Sequence, residues 1–162
     1  MPWCAVPISF DTILFPTDFS DLSLCALQRA QAVADRFESQ LHCLYVVDEA
    51  YQYWGAMGPE SIPVGPPPDN LLESAELRMK QFCDEHLGGI KPPPITNVRL
   101  GRPFVEIINY SREHDISLIV MGTHGRGAIA HILLGSTTEK VVRKAPCAVM
   151  TVRAPDQKFV MP

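Results

Sequence analysis

The segment Met121-Gly122-Thr123-His124-Gly125-Arg126-Gly127, followed by Gly135-Ser136-Thr137-Thr138-Glu139, carries the most readable chemistry in this chain. Glycines at 122, 125, 127 and 135 leave backbone N–H groups open to close approach by an anion. A helix starting near Ser136 adds partial positive charge from its first N–H groups. Phosphate is the anion this combination suits, and a nucleotide is the ligand it predicts. Arg126 is a further candidate, because a guanidinium grips anions through paired donors, although a solvated arginine fits the position nearly as well. His124 divides evenly between facing phosphate and simple solvation.

Two better-known phosphate motifs compete with this reading. The Walker pattern G-x4-G-K-[ST] is absent, so no P-loop lysine is available. Gly125-Arg126-Gly127-Ala128-Ile129-Ala130 fits the dinucleotide pattern G-x-G-x-x-A. That fingerprint belongs after the first strand of a nucleotide-binding half and needs an acidic residue about 20 positions later. Neither condition holds, so the overlap is chance. Ser136 and Glu139 have the spacing of a capping box, and the bland reading is that Gly135 and Ser136 only begin a helix.

The elements that must position these residues follow from apolar periodicity. Thr12 to Phe15 reads as a buried strand ending in Pro16-Thr17-Asp18. Ser20 or Asp21 then caps a helix with Leu22, Ala26, Ala30, Val33 and Phe37 at helical spacing. Leu41 to Val47 is apolar enough to be covered on both faces, as parallel strands are. Asp48 to about Asp69 has no period and reads as a long loop, proline-rich from Gly58 to Pro68. Tyr51, Tyr53 and Trp54 within it suit a local anchoring cluster better than a ligand cover.

Leu72, Ala75, Met79 and Phe82 mark the next helix, stopped by Gly88-Gly89. Ile95 to Leu100 alternates, with Asn97 and Arg99 on the polar side, which suits an edge strand. Gly101-Arg102-Pro103 opens a helix whose inward residues are Phe104, Ile107, Ile108 and Ser111. Ser117 to Met121, Ser136 to Lys144 and Cys147 to Val152 complete the series as strand, helix and strand.

The order β-α-β-α-β-α-β-α-β predicts an α/β fold, a doubly wound five-stranded parallel sheet with helices on both faces. The strand order expected is 3-2-1-4-5, with the first and fourth strands side by side where the order reverses. Ligands in such sheets bind beyond the carboxyl ends of the strands at that reversal. Asp18 therefore reads as a ribose or magnesium contact in preference to a plain helix cap. The strand 147–152 falls at the opposite edge, and an apolar edge invites pairing with a second copy, so a homodimer is expected there.

A chain of 162 residues suggests one domain spanning 1–162. A hydrophobic share of 46% and a charged share of 20% are those of an ordinary globular protein. The net charge of -4 argues against a nucleic-acid partner. No apolar run approaches a membrane span, and residues 1–7 lack the features of a signal peptide. The five cysteines, Cys4, Cys25, Cys43, Cys83 and Cys147, show no C-x2-C spacing, which leaves zinc and redox motifs without support and free thiols in a cytoplasmic protein as the expectation. His42, His86, His114 and His131 show no metal-ligand spacing.

Taken together, these motifs resemble the universal stress protein family in its ATP-binding branch, whose signature is G-x2-G-x9-G-[ST]. Gly122, Gly125, Gly135 and Ser136 match every fixed position. The similarity also covers Ile13 to Ser20, Leu44-Tyr45-Val46-Val47, Gly101-Arg102-Pro103 and Ala145 to Val149. It implies an adenine nucleotide alpha-hydrolase-like fold and a site made of Pro16, Thr17, Asp18, Val46, Met121, Gly122, Gly125, Arg126, Gly135, Ser136 and Thr137. In such a site Asp18 lies by the nucleoside, the backbone at Val46 reads adenine, Met121 lies near the ribose, and the glycines with Ser136 and Thr137 hold phosphates.

ATP or another adenine nucleotide is the expected cofactor, with Mg2+ accompanying a triphosphate, and stress response the expected setting. The residues 58–68, an extension at 2–9 and a tail at 155–162 fall outside the shared pattern. No nucleophile–base pair stands out, so a nucleotide-responsive switch with at most slow hydrolysis is the leading expectation. The alternatives are a nucleotidyl-transferring or pyrophosphate-releasing enzyme on the same fold, and a nucleotide-free dimeric interaction module.

Overall fold

The alternation of short apolar runs with helical periods is realised, among the described residues, as five strands and four helices. The computed structural model describes residues 9–48, 68–123 and 134–153. The elements are β1 (Thr12–Thr17), α1 (Asp21–Phe37), β2 (Gln40–Asp48), α2 (Pro68–His86), β3 (Ile95–Gly101), α3 (Pro103–Glu113), β4 (Leu118–Gly122), α4 (Ser136–Lys144) and β5 (Ala148–Val152). They form one parallel sheet in the order β3-β2-β1-β4-β5, as the sequence predicts.

Two apolar layers sit on the two sheet faces, because alternate side chains of a strand point to opposite sides. Ile13, Phe15, Leu41, Cys43, Leu118 and Val120 pack with Ala26, Leu27, Ala30 and Ala34 of α1 and Met79 and Phe82 of α2. Leu14, Leu44, Val46, Ile119 and Met121 pack with Ile107 and Tyr110 of α3 and Val141 of α4. The small residues Ala26, Ala30 and Ala34 recur every fourth position, which lets α1 lie close on the sheet. The expected inward face of α1 is rotated slightly: Ser23, Leu27 and Ala34 are buried, whereas Phe37 is 43% exposed and meets Phe10 edge-on.

Helix boundaries follow local chemistry. Ser20 caps α1 and accepts from the Ser23 N–H at 3.3 Å, which settles the choice between Ser20 and Asp21. Pro103 occupies the first turn of α3, where its missing N–H is harmless. Gly101 before it has φ 147, a conformation L side chains avoid, and a Cβ there would meet Glu106 Cγ at 3.1 Å. α2 begins at Pro68, inside the stretch read as loop.

β3 is an edge strand, but its polar side is not solvated as alternation suggested. The Arg99 guanidinium lies 4.8 Å above the Tyr110 ring and pairs with Glu106 at 3.5 Å and with Glu113. Tyr110, absent from the expected inward face of α3, is fully buried and its hydroxyl lies 2.9 Å from His42 Nδ1. The remaining loop at 58–67, Tyr51, Tyr53, Trp54, His124, Gly125, Arg126, Gly127, His131, Cys4 and the tail at 155–162 lie outside the described residues.

Candidate functional site at the carboxyl ends of β1 and β4

The strand order reverses between β1 and β4, and there the ladder stops early. β1 pairs β2 at six positions from Thr12 to Thr17, and β4 pairs β5 at five. Between β1 and β4 the register is only Ile13↔Leu118 and Leu14↔Ile119. Pro16 supplies a reason. Residues of a central parallel strand bond alternately to one neighbour and the other. The Asp11 carbonyl accepts from Gln40 on the β2 side, whereas the Thr12 carbonyl accepts from Ser117 on the β4 side. Leu14 and Pro16 share the phase of Thr12, so the position facing β4 after Leu14 is a proline with no N–H to give. The pairing ends there, short of the carboxyl ends of both strands.

Apolar side chains back these strand ends. Leu14, Val46 and Met121 belong to one buried cluster, with Val46 at 9% and Met121 at 6% exposure. Val46 lies one residue beyond the β1–β2 pair Thr17↔Tyr45, at the carboxyl end of β2. Its backbone is therefore at the right end of the sheet to read a ligand edge.

On the β1 side, hydroxyls and one carboxylate form a continuous chain. Asp18 Oδ1 accepts from the Ser20 N–H at 3.0 Å and from Ser20 Oγ at 2.5 Å. The Thr17 hydroxyl lies 3.1 Å from Ser23 Oγ and accepts from the Phe19 N–H at 3.0 Å. These bonds fix the carboxylate of Asp18 while Ser20, not Asp18, caps the helix. Phe19 follows in the left-handed region at φ 61, with its ring 4.5 Å from Tyr45 and Arg78 4.9 Å above it.

On the β4 side, the start of α4 is tied down by the strand ends. Thr138 Oγ1 donates to the Gly122 carbonyl at 2.9 Å, and the Gly135 N–H donates to the Thr123 carbonyl at 2.7 Å. The Thr123 N–H in turn reaches the Val152 carbonyl at 2.9 Å. Gly135, not Ser136, is the N-cap, and no side chain caps the helix. The capping box expected from Ser136 and Glu139 is thus absent: the Glu139 N–H bonds the Gly135 carbonyl instead. Ser136 is the exposed first helical residue, and Thr137 is half-buried beside it.

Gly135 has φ -62 and ψ 153, which any L residue adopts. The backbone there does not call for glycine, unlike that at Gly101. A missing side chain at an uncapped helix N-terminus leaves room for an anion to meet N–H groups directly.

The structure thus brings Pro16, Thr17, Asp18, Val46, Met121, Gly122, Gly135, Ser136 and Thr137 to one end of the sheet. Gly125 and Arg126 lie outside the described residues. Sequence reasoning missed Thr138 as a tether, although a threonine two residues into a helix behind a glycine was a visible signal. Among the described residues no group of three or more His, Cys, Asp or Glu could hold a metal, and no helix is long and apolar enough to cross a membrane.

Comparison with known proteins agrees with the fold. The family model for the universal stress protein family matches residues 9–153. Universal stress protein MJ0531 of Methanocaldococcus jannaschii is 31% identical over 156 residues, covering 92% of this chain and 85% of its own. Among solved structures, that of MJ0577 from the same organism superposes with a TM-score of 0.76 at 28% identity, covering 92% of this chain and 99% of that one. UspA of Lactobacillus plantarum gives 0.72 at 30% identity, covering 90% and 99%. A universal stress protein solved in complex with cAMP gives 0.65 at 22% identity, a likeness of fold, covering 90% and 98%. With its sheet order, its helix layers and most of its length accounted for, the chain belongs to the universal stress protein family.

Proposed function

We propose that this protein binds an adenine nucleotide, ATP foremost, at the carboxyl ends of β1 and β4 and acts as a nucleotide-responsive switch. The observation that carries the reading is the start of α4. A helix N-terminus without a side-chain cap begins at a glycine whose conformation needs no glycine, and two hydrogen bonds anchor it to the β4 end. The family's phosphate signature falls on these residues, and a universal stress protein of the same fold has been solved with cAMP.

In this reading the N–H groups of Ser136 and Thr137 meet the phosphates, with Gly122, Gly125 and Arg126 on the preceding segment. Asp18, held by Ser20, faces the ribose side, the Val46 backbone reads adenine and Met121 packs near the sugar. Mg2+ would accompany a triphosphate, with Asp18 the acidic group nearest to hand. With no nucleophile–base pair standing out in the sequence, hydrolysis in this reading is at most slow.

Equilibrium binding of labelled ATP to the wild type and to Gly135→Val tests the assignment. Valine places a branched side chain where the phosphate should lie, and affinity should fall at least tenfold. Equal affinity would remove the phosphate from this helix and favour a nucleotide-free interaction module. Fast, substrate-dependent release of AMP or pyrophosphate would instead favour a nucleotidyl-transferring enzyme.

The same reading includes a homodimer through β5. Met150 is 37% exposed on that edge strand, and Val142 on α4 is 46% exposed. Edge pairing would cover unpaired backbone groups and apolar surface together. A monomeric mass at micromolar concentration would refute it.

A further inference from the structure

Two cysteines that the nucleotide reading does not use face one another across the layer formed by α1 and α2. Cys43 on β2 is fully buried, and its register partner on β1 is Phe15. Phe82 of α2 stacks on Phe15 with ring centroids 6.3 Å apart and planes 15° apart. That contact sets the next residue, Cys83, against the cluster that holds Cys43. Cys83 Sγ also donates to Met79 Sδ at 3.9 Å, and Cys83 is only half-buried. Both thiols are free.

The protons of the pair are unequally held. Interaction with the Cys83 side chain, and then burial, push the Cys43 thiol well above the usual thiol range. The same interaction pulls Cys83 below it, outweighing burial. A thiol with solvent access and a stabilised thiolate, set beside a second thiol shielded from water, is the arrangement of a redox-reactive cysteine and its resolving partner. Two buried cysteines acting only as small hydrophobes need neither the facing geometry nor the difference in exposure.

We propose that Cys83 is a peroxide-reactive thiol and Cys43 its resolving partner, joined on oxidation by a disulfide between α2 and β2. In the first step the Cys83 sulfur attacks one peroxide oxygen and the O–O bond breaks. Cys83 becomes a sulfenic acid, and its proton leaves with the departing oxygen as water. In the second step the Cys43 sulfur attacks the sulfenic sulfur, the S–O bond breaks, and the Cys43 proton leaves with that oxygen as a second water. Two thiols lose two electrons, and one hydrogen peroxide is reduced to two waters. A low-molecular-weight dithiol restores the pair by thiol–disulfide exchange. The closed loop spans β2 to the last turns of α2, so oxidation pins that helix to the interior strand that carries Tyr45 and Val46.

The test is hydrogen peroxide titration of the folded protein, alkylation of the remaining thiols and peptide mapping. The expected product is a Cys43–Cys83 cross-linked peptide, two hydrogens lighter than its parts, reversed by a dithiol and formed before Cys25 or Cys147 is modified. Cys43→Ser should trap sulfenic acid at Cys83, captured by a 1,3-dione probe, whereas Cys83→Ser should leave Cys43 alkylatable. Mapping in the wild type stands even if a variant folds poorly. Cys83 passing directly to sulfinic acid with Cys43 still free, or both thiols intact after Cys25 or Cys147 has oxidised, would overturn the proposal. Neither result depends on a bound nucleotide.

Discussion

Replacing Thr138 by valine isolates the tether between the strand end and the helix that begins the proposed phosphate site. The side chain is 4% exposed and its hydroxyl donates to the Gly122 carbonyl at 2.9 Å. Valine keeps the branched shape and exchanges the hydroxyl for a methyl group, so the variant removes the donor with little change in volume. A net intramolecular hydrogen bond contributes roughly 0.5–1.5 kcal/mol, and a buried partner left unpaired costs roughly 1–3 kcal/mol. A loss of about 1.5 kcal/mol is therefore expected. For a chain of this size each kcal/mol shifts the midpoint by roughly 2–4 °C, so the variant should melt about 3–6 °C lower. Urea unfolding should show a lower midpoint at an unchanged slope, because the surface exposed on unfolding stays the same. The same variant should bind ATP severalfold more weakly, since the N–H groups of Ser136 and Thr137 are held in place by that anchor. An unchanged midpoint would show that the hydroxyl contributes nothing. A lowered midpoint with unaltered ATP affinity would break the link between tether and site.

Three further outcomes follow from other parts of the molecule. Pro16→Ala restores an N–H facing β4; the ladder should extend, nucleotide affinity should fall, and stability should stay within about 1 kcal/mol of wild type, because lost proline rigidity opposes the gained bond. Met150→Lys places a charge on the exposed edge of β5 and should yield a monomer by analytical ultracentrifugation while leaving the thermal midpoint of the protomer within a few degrees. Stability should decline with acid through His42. Burial and then the nearby His114 lower its pKa below 6.5, so the unfolded chain binds the proton more readily than the folded one. This contribution is fully present above pH 6.5 and is lost as pH falls below it toward the folded value. Glu113, held low by its bond to Arg99, adds its loss only below the normal carboxylate range near 4.5. Urea midpoints across that interval should flatten in His42→Gln, and an identical slope in both proteins would exclude His42 as the group responsible.

The sheet order was legible because each strand carries its own address in burial. β2 is buried along most of its length and lies inside the sheet, whereas β3 has no fully buried residue and lies at an edge. The polar side of β3 misleads for a physical reason. Arg99 is amphipathic, and its guanidinium finds Tyr110, Glu106 and Glu113 on α3, residues 7 to 14 positions away whose approach depends on how the helix returns over the sheet. Ser136 and Glu139 mislead similarly, since a capping box and a first-turn Ser-Thr pair share one spelling. Which residue caps was decided by the Gly135 and Thr138 bonds to strand ends more than ten residues back.

Pro16 shows how a local residue fixes a site that only the assembled sheet reveals. In the sequence it is a proline closing an apolar run, which argues for a strand end or an edge. In the fold it lies in β1, the central strand, still paired to Leu44 of β2 on one side. A proline withholds one N–H, and in a parallel strand that N–H serves one neighbour only. The missing donor therefore separates β1 from β4 while leaving β1 joined to β2. An alanine would favour a longer ladder. The loss falls at the single place where the strand order reverses, and there Asp18 and Gly122 follow the last residues that pair β1 with β4.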